Sequence, residues 1–213
     1  MNWSNCPFYN KCKDDKKDIM TYCDVACSYK PKYQVIYADP PWDISYVKEL
    51  KNGYNVFDLP YPTMKDDDII SLPVKDIVDD DAILFLWLID SRIPILCKLM
   101  EAWGFEYKTV GFVWHKASMD GTSQNPTLGK YTRKSCEFCF IGTRGRCLAK
   151  HHTQNQLQQY LPLAKTVHSQ KPKVIRDMIV RMCGDLPRVE LFSRDKVEGW
   201  DCWGNEVDSD IEL

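Results

Sequence analysis

The pentapeptide ADPPW, Ala38 to Trp42, packs several chemical functions into a few residues. Asp39 brings a carboxylate and Pro40 a carbonyl oxygen, and both act as hydrogen-bond acceptors at neutral pH. Pro40 and Pro41 fix their own φ near about -65° and push the residues before them toward extended backbone, so the acceptors sit in a stiff corner. Trp42 adds a flat aromatic face. Such a set suits an amino group conjugated to a ring, as on a purine. The lone pair of that nitrogen is delocalised, which makes it a poor nucleophile, and two acceptors holding its hydrogens favour a pyramidal nitrogen with the pair exposed. Rigid acceptors also stabilise positive charge as it grows on the nitrogen. The plainer alternative is that Asp39 caps a turn and Trp42 belongs to the core.

The corner needs an element to carry it, and the run before it, YQVIYA (33–38), reads as a buried strand. AILFLWLI (82–89), YKTVGFVWH (107–115), CEFCFIG (136–142) and RVELF (188–192) read the same way. Strands apolar on both faces belong in a sheet covered on both sides, which predicts an α/β fold with a parallel sheet. In such sheets ligands bind at the carboxyl ends of the strands, where Asp39 falls. Between the strands lie helical patterns. One has Ser91 as N-cap, Leu96, Leu99, Met100 and Trp103 on one side and Gly104 as its stop. Another has Pro172 in its first turn, buries Val174, Ile175, Met178, Ile179 and Met182, and ends at Gly184. A shorter one follows Thr63, with Asp66 as its capping-box partner.

The 213 residues suffice for one domain with a substantial core. The composition, 44% hydrophobic and 27% charged, is that of a soluble globular protein, and no run reaches the roughly 18 apolar residues of a membrane span. The start, MNWSNCPFYNKCKDDKK, has no apolar segment of a secretory signal, so an intracellular, cytoplasmic protein is expected. Residues 1–20 read as a cysteine-containing extension and 21–213 as a single domain. The net charge of -2 excludes a uniform positive field, so a polyanion must meet a local patch.

ADPPW resembles the motif of the adenine-N6 methyltransferases, the family that includes the catalytic subunit of the eukaryotic messenger-RNA adenosine methyltransferase and many bacterial and phage relatives. LPYPTM (59–64), LFLW (84–87), WGFE (103–106), CEFCFIGTRG (136–145), HSQKP (168–172), RVELFSR (188–194) and GWDCWGNE (199–206) agree in order. The similarity covers nearly all of the chain after about residue 20. It implies a Rossmann-like fold that uses S-adenosylmethionine, with a mostly parallel central sheet, helices on both faces, and the catalytic motif ahead of the cofactor-binding strand.

By the same resemblance, Asp39, Pro40, Pro41 and Trp42 hold the target adenine, Tyr61 lies beside the transfer centre, and Glu137 is the acid of a substrate-facing segment. Asp24 and Val25 match the pair that reads the cofactor's adenine. Lys171 matches a lysine near the methionine carboxylate and the base. Arg194, Asn205 and Glu206 match ribose and tail contacts, Asp39 also borders the cofactor, and Lys196 fills a place near the carboxylate. Taken without the resemblance, Lys171 reads as a solvated residue before a helix, Arg194 as a surface partner of Asp195 or Glu198, and Tyr61 as core. Two positions depart from the family: Ser193 stands where glycine is usual, and Glu206 where glutamine is common. A serine side chain narrows the approach to backbone, and a carboxylate accepts from ribose hydroxyls but cannot donate.

The resemblance implies adenine in nucleic acid as the partner, and DNA over RNA, because compact stand-alone members of the family mostly methylate DNA. A homodimer or a partner subunit is compatible with the near-neutral charge. The polar interval 115–135, with the following TRGR and KHH, carries cations and Tyr131, a mixture suited to gripping phosphate and stacking a base; the alternative is a solvated loop. Two rivals stand beside the enzyme reading. Intact DPPW argues against a non-catalytic nucleic-acid-binding subunit, and the purine-sized aromatic setting argues against a protein or small-molecule amine. Of the 10 cysteines, Cys6, Cys12, Cys23 and Cys27 do not follow common zinc spacings, and Cys136 with Cys139 lies in a strand, where the two side chains point to opposite faces. Ordinary thiols are expected and no metal is assigned, with a zinc or iron-sulfur centre as the alternative.

Overall fold

A computed structural model describes residues 32–43, 62–118, 131–146, 148, 157–164 and 170–213. Among them run strands β1 (Tyr33–Ala38), β2 (Val78–Leu88), β3 (Glu106–Ala117), β4 (Cys136–Arg144), β5 (Tyr160–Ala164), β6 (Arg188–Leu191) and β7 (Asp201–Trp203), and helices α1 (Asp66–Ser71), α2 (Leu96–Ala102) and α3 (Val174–Cys183). All seven strands join one sheet in the order β5-β3-β4-β2-β1-β6-β7.

Alternation along the central strands divides the core in two. Ile36 and Ala38 of β1, with Leu84 and Leu86 of β2, face the cluster that includes Ile69 of α1 and Leu99 of α2. Val35, Tyr37, Phe85 and Trp87 face the other cluster, which takes in Ile175 and Ile179 of α3. Helices therefore cover both faces, and that coverage is why the central strands are apolar throughout. Their direction is a separate matter, and here the expectation of a mostly parallel sheet is corrected. The sheet is mixed: β1 pairs parallel with β2 and β6, β6 with β7 and β3 with β5, whereas β4 pairs antiparallel with both β2 and β3. Following β3 directly in the chain and pairing beside it, β4 reverses, because neighbouring consecutive strands run parallel only through a crossover.

The helix stops behave as their glycines require. Gly104 has φ 85. Its N–H donates to the Glu101 carbonyl at 3.0 Å, and the Phe105 N–H donates to the Met100 carbonyl at 2.8 Å, so α2 ends in a Schellman turn. The starts differ from expectation. A 3-10 turn, Asp90–Ile95, precedes α2, which leaves Ser91 inside the turn instead of capping the helix. Lys65 occupies the N-cap of α1 with no side-chain cap, and Asp66 turns away to accept from Arg92 Nε at 2.7 Å. No helix among the described residues is long and apolar enough to cross a membrane.

The fold places one set of strand ends together. Ala38 pairs with Leu86 and Leu191, Leu191 with Trp203, and Leu88 with Phe138 of the reversed β4. The carboxyl ends of β1, β2, β6 and β7 therefore lie in a row with the amino end of β4.

Candidate active site

Asp39 leaves β1 at the middle of that row. The corner behind it is pinned at several points. The Trp42 N–H donates to the Pro40 carbonyl at 2.9 Å, which closes a tight turn around Pro41. The Met64 N–H donates to the Pro41 carbonyl at 2.8 Å, and Trp42 forms a bridge with Met64. Arg92 Nη2 donates to the Asp43 carbonyl at 2.7 Å while its Nε holds Asp66. The stiffness inferred from two prolines thus has a hydrogen-bonded frame.

Trp42 does not present an open face in this arrangement. Its ring is 5% exposed and packs in the core cluster of α1 and α2, and its Nε1 donates to the Trp87 carbonyl at 3.3 Å. The indole anchors the corner from beneath. The Pro40 carbonyl is likewise engaged within the turn, although a carbonyl keeps a second lone pair.

Around Asp39 the charges alternate. Lys171, just ahead of α3, sets Nζ 2.7 Å from each Asp39 oxygen and 3.2 Å from Oε2 of Glu137 on β4. Lys116, near the end of β3, sets Nζ 2.5 Å from Oε1 of Glu137. The sequence Lys116, Glu137, Lys171, Asp39 is thus a chain of four charges with no net charge. Burial disfavours the charged forms of Asp39, Glu137 and Lys171, and pairing decides the outcome for each. For Glu137 burial pushes the carboxyl up, but Lys171 and Lys116 overcome it and hold the group at about 2. For Asp39 burial prevails: its carboxyl lies above the ordinary value despite Lys171, with Glu137 adding to the push. Lys171, which burial alone would lower, is raised by Asp39 and Glu137 and stays protonated.

A polar layer under α3 supports the chain. The Trp87 ring lies 5.4 Å from Lys171 Nζ, and its Nε1 donates to the Tyr37 hydroxyl at 2.8 Å. Beside Tyr37 in the register is Glu190, which Arg176 of α3 grips with Nε at 2.6 Å and Nη2 at 2.8 Å.

Beyond β6 and β7 two segments meet backbone to backbone. A Cβ on Gly204 would stand 2.3 Å from the Ser193 carbonyl oxygen and 2.8 Å from its nitrogen, so this contact requires glycine at 204. Ser193 is buried, and its hydroxyl donates to the Asp195 carbonyl at 2.8 Å. Its side chain is therefore spent within its own loop. Arg194 Nε lies 2.8 Å from Glu206 Oε1, which joins two residues the sequence singled out separately. Asn205 stands exposed beside them. Gln170 Nε2 donates to Asp195 Oδ2 at 2.8 Å and so ties the Lys171 segment to this end.

The structure therefore brings together Asp39, Glu137 and Lys171, and pairs Arg194 with Glu206. It turns Lys196 toward Asp210 and Asp208, at 3.0 and 3.8 Å, and leaves Tyr131 89% exposed. Asp24, Val25, Tyr61 and the four N-terminal cysteines lie outside the described residues. The sequence reading missed Lys116, Trp87 and Arg92. A lysine two residues after a tryptophan, near the end of a strand, was the available signal for the first.

A family model described as MT-A70 matches residues 33–206. The Type II methyltransferase M.MunI of a Mycoplasma species is 38% identical over 199 residues, 86% of this chain and 82% of that protein. The human N(6)-adenosine-methyltransferase catalytic subunit METTL3 is 27% identical over 190 residues, 88% of this chain but 30% of that protein. A Drosophila melanogaster N(6)-adenosine-methyltransferase MT-A70-like protein is 27% identical over 180 residues, 83% of this chain and 27% of its own length.

Proposed function

The chain belongs to the MT-A70 family, and from that membership and the charged corner at Asp39 we propose that it transfers a methyl group from S-adenosylmethionine to the exocyclic N6 amino group of adenine in DNA. One observation carries the reading beyond family: a carboxylate fixed at the carboxyl end of a central strand, in a pinned turn, beside a lysine shared with a second acid.

The donor set suits the cofactor, an amino acid zwitterion joined to a nucleoside. Lys171 and Arg194 offer cations for its carboxylate, and Asp39 or Asp195 can accept from its ammonium. Glu206 accepts from ribose hydroxyls while Asn205 both donates and accepts. Asp24 and Val25 are assigned to the adenine and Lys196 to the outer edge. When bound, the cofactor would supply a methyl carbon activated by a positive sulfur, and the sulfur–carbon bond broken on transfer would leave its electron pair on a neutral thioether as the leaving group.

The residues of this chain do the rest. Asp39 and the free lone pair of the Pro40 carbonyl accept the two N6 hydrogens and expose the nitrogen's pair. Tyr61 and Glu137 border the base, and Trp42 holds the corner rigid. As the nitrogen gains a bond and positive charge, the Asp39 carboxylate stabilises it without reorganising. A proton then leaves the nitrogen toward Asp39, whose raised carboxyl value suits it to accept one. Lys171 shifts its weight from Asp39 to Glu137 when the amine arrives. A duplex must extrude its adenine for this to happen, and Tyr131 with the cations near it in sequence is assigned to the displaced strand.

DNA is preferred because the likeness to a Type II methyltransferase is greater and spans most of both chains, whereas the adenosine methyltransferase relatives are matched over less than a third of their length. Those same relatives favour RNA as the second reading. Labelled cofactor with matched DNA and RNA oligonucleotides, followed by digestion to nucleosides, separates the two. The expected product is N6-methyladenine from DNA. Label on cytosine, or on neither polymer, would sink the proposal.

A further inference from the structure

Lys116 stands at the far end of the charge chain from Asp39, and nothing in the chemistry just described uses it. It follows Trp114 by two residues on β3, so both side chains lie on one face, and its Nζ is 5.6 Å from the Trp114 ring centre. A lysine near the end of a strand ordinarily extends its ammonium to water. This one is 12% exposed and points inward at Glu137. A buried ammonium needs a partner, and Glu137 answers with one oxygen while its other oxygen serves Lys171. The register explains the reach: Trp114 pairs with Glu137, so Lys116 lies diagonally across from it.

We propose that Lys116 is a positioning residue of this site: by holding one oxygen of Glu137, it limits the pull of Glu137 on Lys171 and so sets how firmly Lys171 covers Asp39. The proposal rests on the methyltransferase reading above for its consequence in catalysis, but not for its geometry. Three charged groups bear on the matter from three elements. Lys116 of β3 and Lys171 ahead of α3 face Glu137 directly, and Asp39 after β1 faces it across Lys171. Cys139, on the same face of β4, and Arg194, after β6, bear on Asp39 instead.

With Lys116 present the chain is neutral. Without it, two carboxylates share one lysine and the group carries a net negative charge. Lys171 is then drawn toward Glu137, and both carboxyl groups bind protons more readily. A residue that only filled space would produce neither change.

The test is a carbon-detected carboxyl titration of the full chain without cofactor, comparing the parent with Lys116→Met and Lys116→Arg. In the parent Glu137 is expected to stay ionised until pH about 2. In Lys116→Met its midpoint is expected to rise by about one unit or more, a tenfold gain in proton affinity, and Lys116→Arg is expected to restore the parent value. Should Lys116→Met fail to fold, Lys116→Gln is read in the same way. A Glu137 midpoint that Lys116→Met or Lys116→Gln leaves at the parent value overturns the proposal. A parallel pH profile of methyl transfer to an adenine-containing DNA oligonucleotide is expected to show the acid limb of kcat moved upward in Lys116→Met, with KM for DNA little changed. If the parent itself transfers no methyl group, the methyltransferase reading fails, and the carboxyl titration still decides the role of Lys116.

Discussion

Breaking the clasp between Arg176 and Glu190 should cost the fold heavily, because the pair is buried. The guanidinium donates twice to one carboxylate, at 2.6 and 2.8 Å, and the two side chains are only 12% and 9% exposed. Arg176→Met leaves Glu190 without its partner in a setting where burial already pushes its carboxyl above the ordinary value. Losing one member of a buried pair costs about 3 to 5 kcal/mol. Glu190 can limit this by taking up a proton, so the lower end, about 3 kcal/mol, is expected. For a domain of this size that corresponds to a fall in Tm of roughly 6 to 12 °C. Removing both charges, as Arg176→Met with Glu190→Leu, deletes the stranded carboxylate and should recover most of the loss. The sign with pH is also set. An unpaired Glu190 has a folded pKa above its unfolded value, so the single variant should regain stability relative to the parent as pH falls through that raised value. Urea and thermal unfolding at two pH values measure all of this. A single variant within about 1 kcal/mol of the parent, or a double variant no better than the single, would refute the reasoning.

Arg92→Ala removes the side chain joining the Asp43 carbonyl to Asp66, and methyl transfer should fall about tenfold or more in kcat with cofactor affinity nearly unchanged, as stopped assays and calorimetry would show. Gly204→Ala drives a Cβ into the Ser193 backbone, so a stability loss of about 1 to 3 kcal/mol and weaker cofactor binding are expected in denaturation and calorimetric titration. Glu137 has a folded pKa near 2 against an ordinary 4.5, so its stabilising contribution is full above the ordinary value and is lost as pH falls toward 2. Asp39, raised above its ordinary value, works in the opposite direction and should partly offset that loss in an unfolding series.

The strands with strong composition were legible, and the weaker ones show why sequence reading stops where it does. β1 was read residue for residue and β6 within one residue, since apolar runs between turn residues leave little choice. β5 was missed because Pro162 argues against a strand; it is an edge strand, where a missing N–H is tolerated. β7 has three residues, too few for any period. The reversal of β4 was invisible, because burial on both faces looks alike in either direction. Asp39 could be found from its prolines, but its nearness to Lys171 spans 132 positions and comes from the packing of α3 on the sheet. Trp42 misled for the opposite reason: a ring beside a carboxylate in sequence turned to the other side of the sheet.

Everything in the proposed chemistry passes through the Asp39 carboxylate, and single-turnover methyl transfer by Asp39→Asn measures its part most directly. The amide keeps the shape and one acceptor but lacks the charge. With labelled cofactor, an adenine-containing DNA oligonucleotide and affinities measured separately, the rate of N6-methyladenine formation should drop by about 10²- to 10³-fold while the folded state persists. A variant that methylates adenine as fast as the parent would contradict the assignment.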